Sequence, residues 1–312
     1  MQSDTISRKL EKKDTCMQNN MISKICFPFF IKFQGSSETI RDKSSRTTNK
    51  IQTSFQKSFH SHQKTSIQKN QQNIYEWVTG LIEADGGFYV SKKGYASCEI
   101  TMATKEVQSL HTVKKFCGGS VSSRTSANAV RWRLHSKKSL LILLPLLANN
   151  FHIEKSFLQF QIALKAVDKE VEETKAPTVT SLTSLLNTRV CRGSAWFSGF
   201  FCGDGCFYIN PRNFQITISV SQKTRPILDS IQEAFGGNVF KDKSWNGYVW
   251  QVSKREDLQE ILNYFKLFPL RNPQKEAQLQ SVLRFLRYKD RGDHLDSKNY
   301  VRLRHFVKLM ND

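Results

Sequence analysis

The sequence predicts an α+β fold built as two tandem, pseudo-symmetric αββαββα halves with antiparallel sheets, preceded by a disordered N-terminal extension. Three observations predict it. First, a string of residues occurs twice: Trp77 to Tyr89 (WVTGLIEADGGFY) returns as Trp196 to Tyr208 (WFSGFFCGDGCFY). Second, landmarks downstream of each copy keep their distance. From Asp85 to the Gly118-Gly119 pair, to Trp132 and to Lys155 there are 33, 47 and 70 residues; from Asp204 to Gly236-Gly237, Trp250 and Lys275 there are 32, 46 and 71. Spacing held this closely indicates internal duplication. Third, hydrophobic periodicity switches between two and 3.6 residues in the same order in both halves.

The elements follow in chain order. Residues 1–73 are rich in Ser, Thr, Gln, Asn and Lys, with one apolar patch from Ile25 to Phe33. A packed core cannot be assembled from such a composition, so the stretch reads as a disordered basic extension. Its Arg/Ser-rich, acid-poor start has some transit-peptide character, but Asp4, Glu11 and Asp14 come early and favour a plain extension.

The first half occupies residues 74–167. After the motif helix come a first strand, Phe88 to Ser91, and a second, Cys98 to Ala103, where Ile100 and Met102 face one side and Glu99 and Thr101 the other. Helical spacing at Val107, Leu110, Val113 and Phe116 ends at Gly118-Gly119. Two more strands, Ser120 to Arg124 and Val130 to Leu134, precede helices at Lys138–Ala148 and Glu154–Val167. Residues 168–194 read as a linker, with an acidic cluster at Glu170, Glu172 and Glu173 and a short helix near Leu182 to Asn187. The second half, 195–312, repeats the plan. Its strands are Phe207 to Asn210, Phe214 to Val220, Asn238 to Lys241 and Tyr248 to Val252; its helices lie around Ile227 to Phe235, Arg255 to Phe265 and Gln274 to Tyr288, and a tail follows.

Gly80 and Ala84, like Gly199 and Gly203, fall one turn apart on one helix face and let two backbones approach. Each helix stops at its Asp, where the macrodipole already disfavours an anion by roughly 0.3–1 kcal/mol. Packing the two helices together brings Asp85 and Asp204 to one point, and a divalent cation bound by oxygen ligands is the simplest compensation. The bland alternative, a solvated Asp beside a Gly cap, suffices for one copy but not for two inside a longer repeat.

Lys and Arg number 47 against 27 Asp and Glu, a net charge of +20 that points to a polyanion, nucleic acid before membrane. The longest apolar run, Leu140 to Ala148, is broken by Pro145 and too short to span a bilayer. The seven cysteines contain no Cys-x-x-Cys pair, and Cys202 and Cys206 beside Asp204 do not by themselves make a metal site. On the open faces of the sheets the alternation places Tyr89, Ser91, Lys93, Thr101, Arg131 and Arg133 in the first half. In the second it places Tyr208, Asn210, Arg212, Gln215, Thr217, Ser219 and Gln251. These side chains suit base edges and phosphates.

The paired strings resemble the LAGLIDADG motif of homing endonucleases in its two-copy, single-chain form, and the resemblance extends from Tyr75 to about Asp312, including the tail from Asp293 to Asn311, which is similar to the closing helix of many members. It implies motif helices packed on a pseudo-twofold axis and saddle-shaped sheets lying in the DNA major groove. It implies that Asp85 and Asp204, with the carbonyls of Ala84 and Gly203, bind Mg²⁺ or a similar divalent metal. Lys155 and Lys275 fall where the family keeps basic residues near the scissile phosphates, although Arg271 rivals Lys275. Gln222 matches a water-positioning polar residue, with the shorter Thr104 standing for it in the first half, so the two half-sites are expected to cut at unequal rates. Glu83 keeps the acid of the motif's sixth position, whereas Cys202 replaces it as a packing residue. The implied activity is site-specific hydrolysis of both strands of a long pseudo-palindromic double-stranded DNA target by a monomer, leaving short 3′ overhangs. The resemblance also implies an organellar (mitochondrial or chloroplast) setting. The alternative it leaves is a group I intron maturase that binds its host intron RNA.

Overall fold

The computed structural model describes residues 72–124, 127–172 and 185–311. The expected disordered extension therefore lies outside the described residues, apart from positions 72 and 73, which already belong to a helix. That helix, α1 (72–85), buries Ile74, Trp77, Val78, Leu81 and Ile82, an apolar stripe at helical spacing. Its counterpart in the second half is α5 (Trp196–Asp204), with Trp196, Phe197, Phe200, Phe201 and Cys202 buried.

Each helix runs straight into a strand. In the first half β1 (Gly86–Val90), β2 (Ala96–Ala103), β3 (Ser120–Arg124) and β4 (Ala129–Leu134) form a sheet of order β1-β2-β4-β3. In the second, β5 (Gly205–Ile209), β6 (Ile216–Gln222), β7 (Asn238–Asp242) and β8 (Gly247–Val252) repeat it as β5-β6-β8-β7. All neighbours are antiparallel. One face of each sheet carries Cys98, Ile100, Met102, Val130, Trp132 and Leu134, or Phe207, Ile216, Ile218, Val220, Trp250 and Val252, all buried. Helices cover that face: α2 (Val107–Cys117), α3 (Lys137–Leu147) and α4 (Glu154–Glu172) in the first half, α6 (Pro226–Phe235), α7 (Arg255–Leu267) and α8 (Pro273–Asp290) in the second. None of the helices among the described residues is long and apolar enough to cross a membrane.

The landmark spacing of the repeat has a physical origin. The indole N–H of Trp132 donates to the Gly118 carbonyl at 2.8 Å, and that of Trp250 to Gly236 at 2.8 Å. Both glycine pairs hold φ between 74° and 82°, a region that side chains disfavour. Each Gly-Gly turn is thus tied to its tryptophan, and neither distance can drift without breaking the contact.

Two sequence expectations change, and a third is met. Phe214 is not the start of a strand: its φ is 56°, in a turn closed by Phe214 N–H to the Asn210 carbonyl (2.8 Å), and its ring is buried against Phe285 and Tyr300. The short linker helix is absent at 185–187, the part of Leu182 to Asn187 that is described, because Asn187 N–H is drawn to the Phe151 carbonyl at 2.8 Å. The tail folds as the closing helix that the resemblance implies, α9 (Ser297–Asn311), and is laid over the outer edge of β5. There the Asn311 amide pairs with the Ile209 carbonyl (2.8 Å) and N–H (3.3 Å), closing an edge that would otherwise be open to pairing.

Candidate functional site

The two motif helices meet through their small residues. A methyl group added to Gly199 would run into the Trp77 carbonyl, and one added to Gly80 into the Trp196 carbonyl, so the backbones pack directly on each other. One turn further on, a methyl on Gly203 would lie 2.6 Å from the Ala84 side chain and 2.6 Å from the Asp85 carboxylate. Asp85 therefore sits against the end of the opposite helix, as the spacing predicts.

The carboxylates of Asp85 and Asp204 are electrostatically coupled. Burial, helped by the negative charge of Glu106, pushes Asp85 up to about 6, while Lys275 pulls it down. Burial and then Asp85 itself push Asp204 up to about 7, opposed by a hydrogen bond from Gln222 and by Lys275. Gln222 Nε2 donates to Asp204 Oδ2 at 2.6 Å. The ammonium of Lys275, in the first turn of α8, donates to the Gly205 carbonyl immediately beyond Asp204. Asp85, Asp204, Gln222 and Lys275 thus form one constellation.

Two expected members do not join it. Lys155 is exposed near the start of α4 and is not among the charges that bear on either carboxylate. Thr104 opens a single 3-10 turn, Thr104–Glu106, and is exposed. The strand register shows why it is not the partner of Gln222. Gln222 pairs with Tyr248 two places beyond the Val220–Trp250 pair, and the same step from Ile100–Trp132 arrives at Met102, which is buried.

Other residues complete the surroundings of the site, of which only Glu83 and Cys202 were singled out from the sequence. Glu106 lies beside Asp85 and accepts from Asn272 Nδ2 at 3.0 Å. Asn272, fully buried, caps α8 by accepting from the backbone N–H groups of Gln274 (3.0 Å) and Lys275 (3.2 Å). Glu83, buried, takes three N–H donors: His152 (3.1 Å), Ile153 (2.6 Å) and the Trp196 indole (2.6 Å). Burial still pushes it up to about 8. At the matching position Cys202 donates instead to the Leu270 carbonyl. An N-cap Asn three residues before a helical Lys was a readable signal for Asn272; nothing local marked Glu106.

Of the residues assigned to the open sheet faces, Tyr89, Thr101, Arg131, Arg133, Tyr208, Thr217, Ser219 and Gln251 lie on strands, whereas Lys93 and Arg212 lie in the hairpin turns and Gln215 precedes β6. Tyr89, Lys93, Arg133, Tyr208, Arg212 and Gln215 are exposed, and Thr101, Arg131, Thr217, Ser219 and Gln251 are half-buried. Ser91 and Asn210 serve the hairpins: Ser91 Oγ accepts from Tyr95 N–H (3.1 Å), and Asn210 Oδ1 from Arg212 N–H (2.9 Å). Glu99, put on this side by the alternation but not counted among the binding residues, lies among the arginines of the first face.

Chemically, the paired carboxylates, the neighbouring backbone carbonyls and Gln222 are oxygen donors of the kind a hard divalent cation takes. Among the described residues there is no group of three or more His, Cys, Asp or Glu side chains arranged for a metal, so such an ion would rest on the two Asp residues and on backbone or water oxygens.

Comparison with known proteins bears on this site. The LAGLIDADG endonuclease family pattern matches the chain twice, over residues 78–167 and 197–282. An intron-encoded RNA maturase of Saccharomyces cerevisiae is 32% identical over 200 residues, 62% of this chain and 29% of that protein. A probable intron-encoded endonuclease of Debaryomyces hansenii is 26% identical over 273 residues, 79% of this chain and 39% of that one. The chain thus spans well under half the length of these two relatives, whereas an intron-encoded DNA endonuclease of Dictyostelium discoideum, 26% identical, is matched over 72% of its length and 62% of this chain. Among solved structures, the meganuclease I-AabMI bound to uncleaved DNA superposes with a TM-score of 0.61 at 20% identity, covering 75% of this chain and 98% of its own. The homing endonuclease I-LtrWI bound to target DNA gives 0.58 at 18%, covering 77% and 98%. At these identities the two structures share the fold.

Proposed function

Since the chain belongs to the LAGLIDADG endonuclease family, we propose that it is a site-specific, monomeric DNA endonuclease that hydrolyses both strands of a long pseudo-palindromic target and leaves short 3′ overhangs. The observation that carries this reading is the meeting of Asp85 and Asp204 at the ends of two packed glycine-faced helices, coupled closely enough that one raises the proton affinity of the other. Paired, half-buried carboxylates of this kind are costly without a compensating charge.

The residues divide the work. Asp85 and Asp204, with the Ala84 and Gly203 carbonyls, are the ligands for Mg²⁺ or a like ion. Such an ion supplies a water of lowered pKa and charge stabilisation at phosphoryl oxygens. Gln222 fixes the orientation of the Asp204 carboxylate. Lys275 places a positive charge beside both carboxylates and near where a phosphate would be drawn, and Lys155, free on the surface of α4, is suited to a phosphate further out. Thr104 has no counterpart role to Gln222, which leaves the first-half side of the site without a matching amide. The two sheet faces, through the residues named above, supply base contacts, and the net charge of +20 supplies salt-sensitive phosphate affinity. Intron-encoded relatives suggest an organellar genome as its setting.

A second reading has its own support: the 32% identical relative is an RNA maturase, so binding of host intron RNA is retained as the alternative. The test is cleavage of a randomised duplex library with Mg²⁺ and sequencing of the cut ends, for the wild type and for Asp85→Asn and Asp204→Asn. Specific cuts with short 3′ overhangs that vanish in either variant, with DNA binding preserved, are expected. Binding without cutting by the wild type points to the maturase, and cutting intact in both variants removes the carboxylates from the site.

A further inference from the structure

The open face of the first sheet contains one acid, Glu99, on the central strand β2. Its two carboxylate oxygens are divided between two arginines of β4: Oε2 lies 3.0 Å from Arg131 Nη1, and Oε1 lies 2.9 Å from Arg133 Nε. Ser97 Oγ also donates to Oε1, at 3.2 Å. The carboxylate is 13% exposed, Arg131 28% and Arg133 50%. The register explains the geometry, since Glu99 is directly opposite Arg133 and Thr101 opposite Arg131.

An ordinary surface ion pair contributes little, about 0–1 kcal/mol, and on a face meant for a polyanion a carboxylate repels the ligand. Glu99 is therefore poorly explained as a stabiliser or as an affinity residue. Its geometric effect is larger. Arg133 is gripped through Nε, on the inner side of its guanidinium, which restricts the orientations open to its half-exposed terminal Nη groups. A fork fixed in advance recognises a planar bidentate acceptor without first losing rotamer freedom. On DNA the matching acceptor is the N7/O6 edge of guanine in the major groove.

The second sheet provides an internal comparison. Matching the pairs Glu99–Arg133 and Ser219–Gln251 places a neutral Ser–Gln pair where the first half has an acid and an arginine. Gln251 is held by Nε2 to Ser253 Oγ at 3.3 Å. Glutamine pairs bidentately with the N6/N7 edge of adenine.

We infer that Arg133, oriented by Glu99, reads a guanine in the half-site bound by the first sheet, and that Gln251 reads an adenine at the pseudo-symmetric position of the other half-site. The target is then asymmetric at a defined pair of positions. This rests on the DNA-binding reading above.

The test is selection of bound DNA from a randomised duplex library with the wild type, R133Q and E99Q, alongside thermal unfolding of each. The wild type is expected to favour guanine by about tenfold or more at one position and adenine at its mirror position. R133Q should convert the guanine preference to adenine and leave every other position unchanged. E99Q should flatten the guanine preference severalfold, with total affinity held or raised. A guanine preference untouched by R133Q overturns the assignment of Arg133, and one untouched by E99Q overturns the orienting role of Glu99. A wild type that enriches no duplex sequence overturns the DNA-binding reading itself, which separates the two failures.

Discussion

At the scale of single residues, the site is asymmetric in its supports though symmetric in its carboxylates. Asp204 has an amide donor in Gln222, and Asp85 has Glu106 and Lys275 as its charged neighbours. The carboxylates were legible because they belong to a repeated string, Lys275 because its spacing from that string is kept, and Gln222 through the family resemblance. Glu106 and its pairing with Asn272 were not, because the two are joined across 166 residues and nothing in either segment points to the other. The same holds for His152, whose ring lies 4.3 Å from that of Trp196 and whose burial pushes its pKa down to about 4, partly offset by a hydrogen bond with the Asn187 backbone. The folded state therefore binds this proton more weakly than the unfolded chain. Its stability contribution is intact above the unfolded value near 6.5 and is lost as pH falls from there toward 4. Relative to His152→Phe, which cannot titrate, the wild type is expected to lose up to about 3 kcal/mol between pH 7.5 and 4.5. Urea unfolding of both proteins across that range measures it, and parallel curves would show that His152 stays protonatable in the fold.

At the scale of elements, the motif helices are the most constrained parts of the chain. The neighbours of Gly80 and Gly199 are backbone atoms of the other helix, which cannot swing aside as a side chain would. Gly199→Ala is expected to cost at least about 1–3 kcal/mol through overpacking and to push the two carboxylates apart. Denaturant midpoints should fall with an unchanged slope, and DNA cleavage should fall more than DNA binding. A variant as stable and active as the wild type would mean that the helices do not pack on this face. Elements with strong periodicity were readable to within one or two residues, as at β3 and α7. Where tertiary contacts outweighed local pattern they were not. Phe214 continues the strand alternation in sequence, but burial against Phe285 and Tyr300 pulls it into a left-handed turn.

At the scale of the whole described unit, residues 72–124, 127–172 and 185–311, the halves are not independent copies placed side by side. The Trp77 indole donates to the Leu270 carbonyl at 2.9 Å, the Trp196 indole to Glu83 at 2.6 Å, and Glu76 accepts from Ser194 Oγ (2.9 Å) and Ala195 N–H (2.8 Å). Each motif helix completes the hydrogen bonding of the other half, and these partners are separated by 113 to 193 residues. Duplication alone suggested two modules; with these bonds, unfolding is expected to be cooperative across both. Trp196→Phe deletes the donor to Glu83 together with part of a buried ring, at an expected cost of at least about 1–3 kcal/mol. If the halves unfold together, hydrogen exchange should show the same loss of protection at Ile100 and Trp132 in the first sheet as at Ile218 and Trp250 in the second. Protection lost in one sheet alone would mean that each half is stable by itself. The seam would then serve only to align the two carboxylates, and the site could be assembled from separate chains.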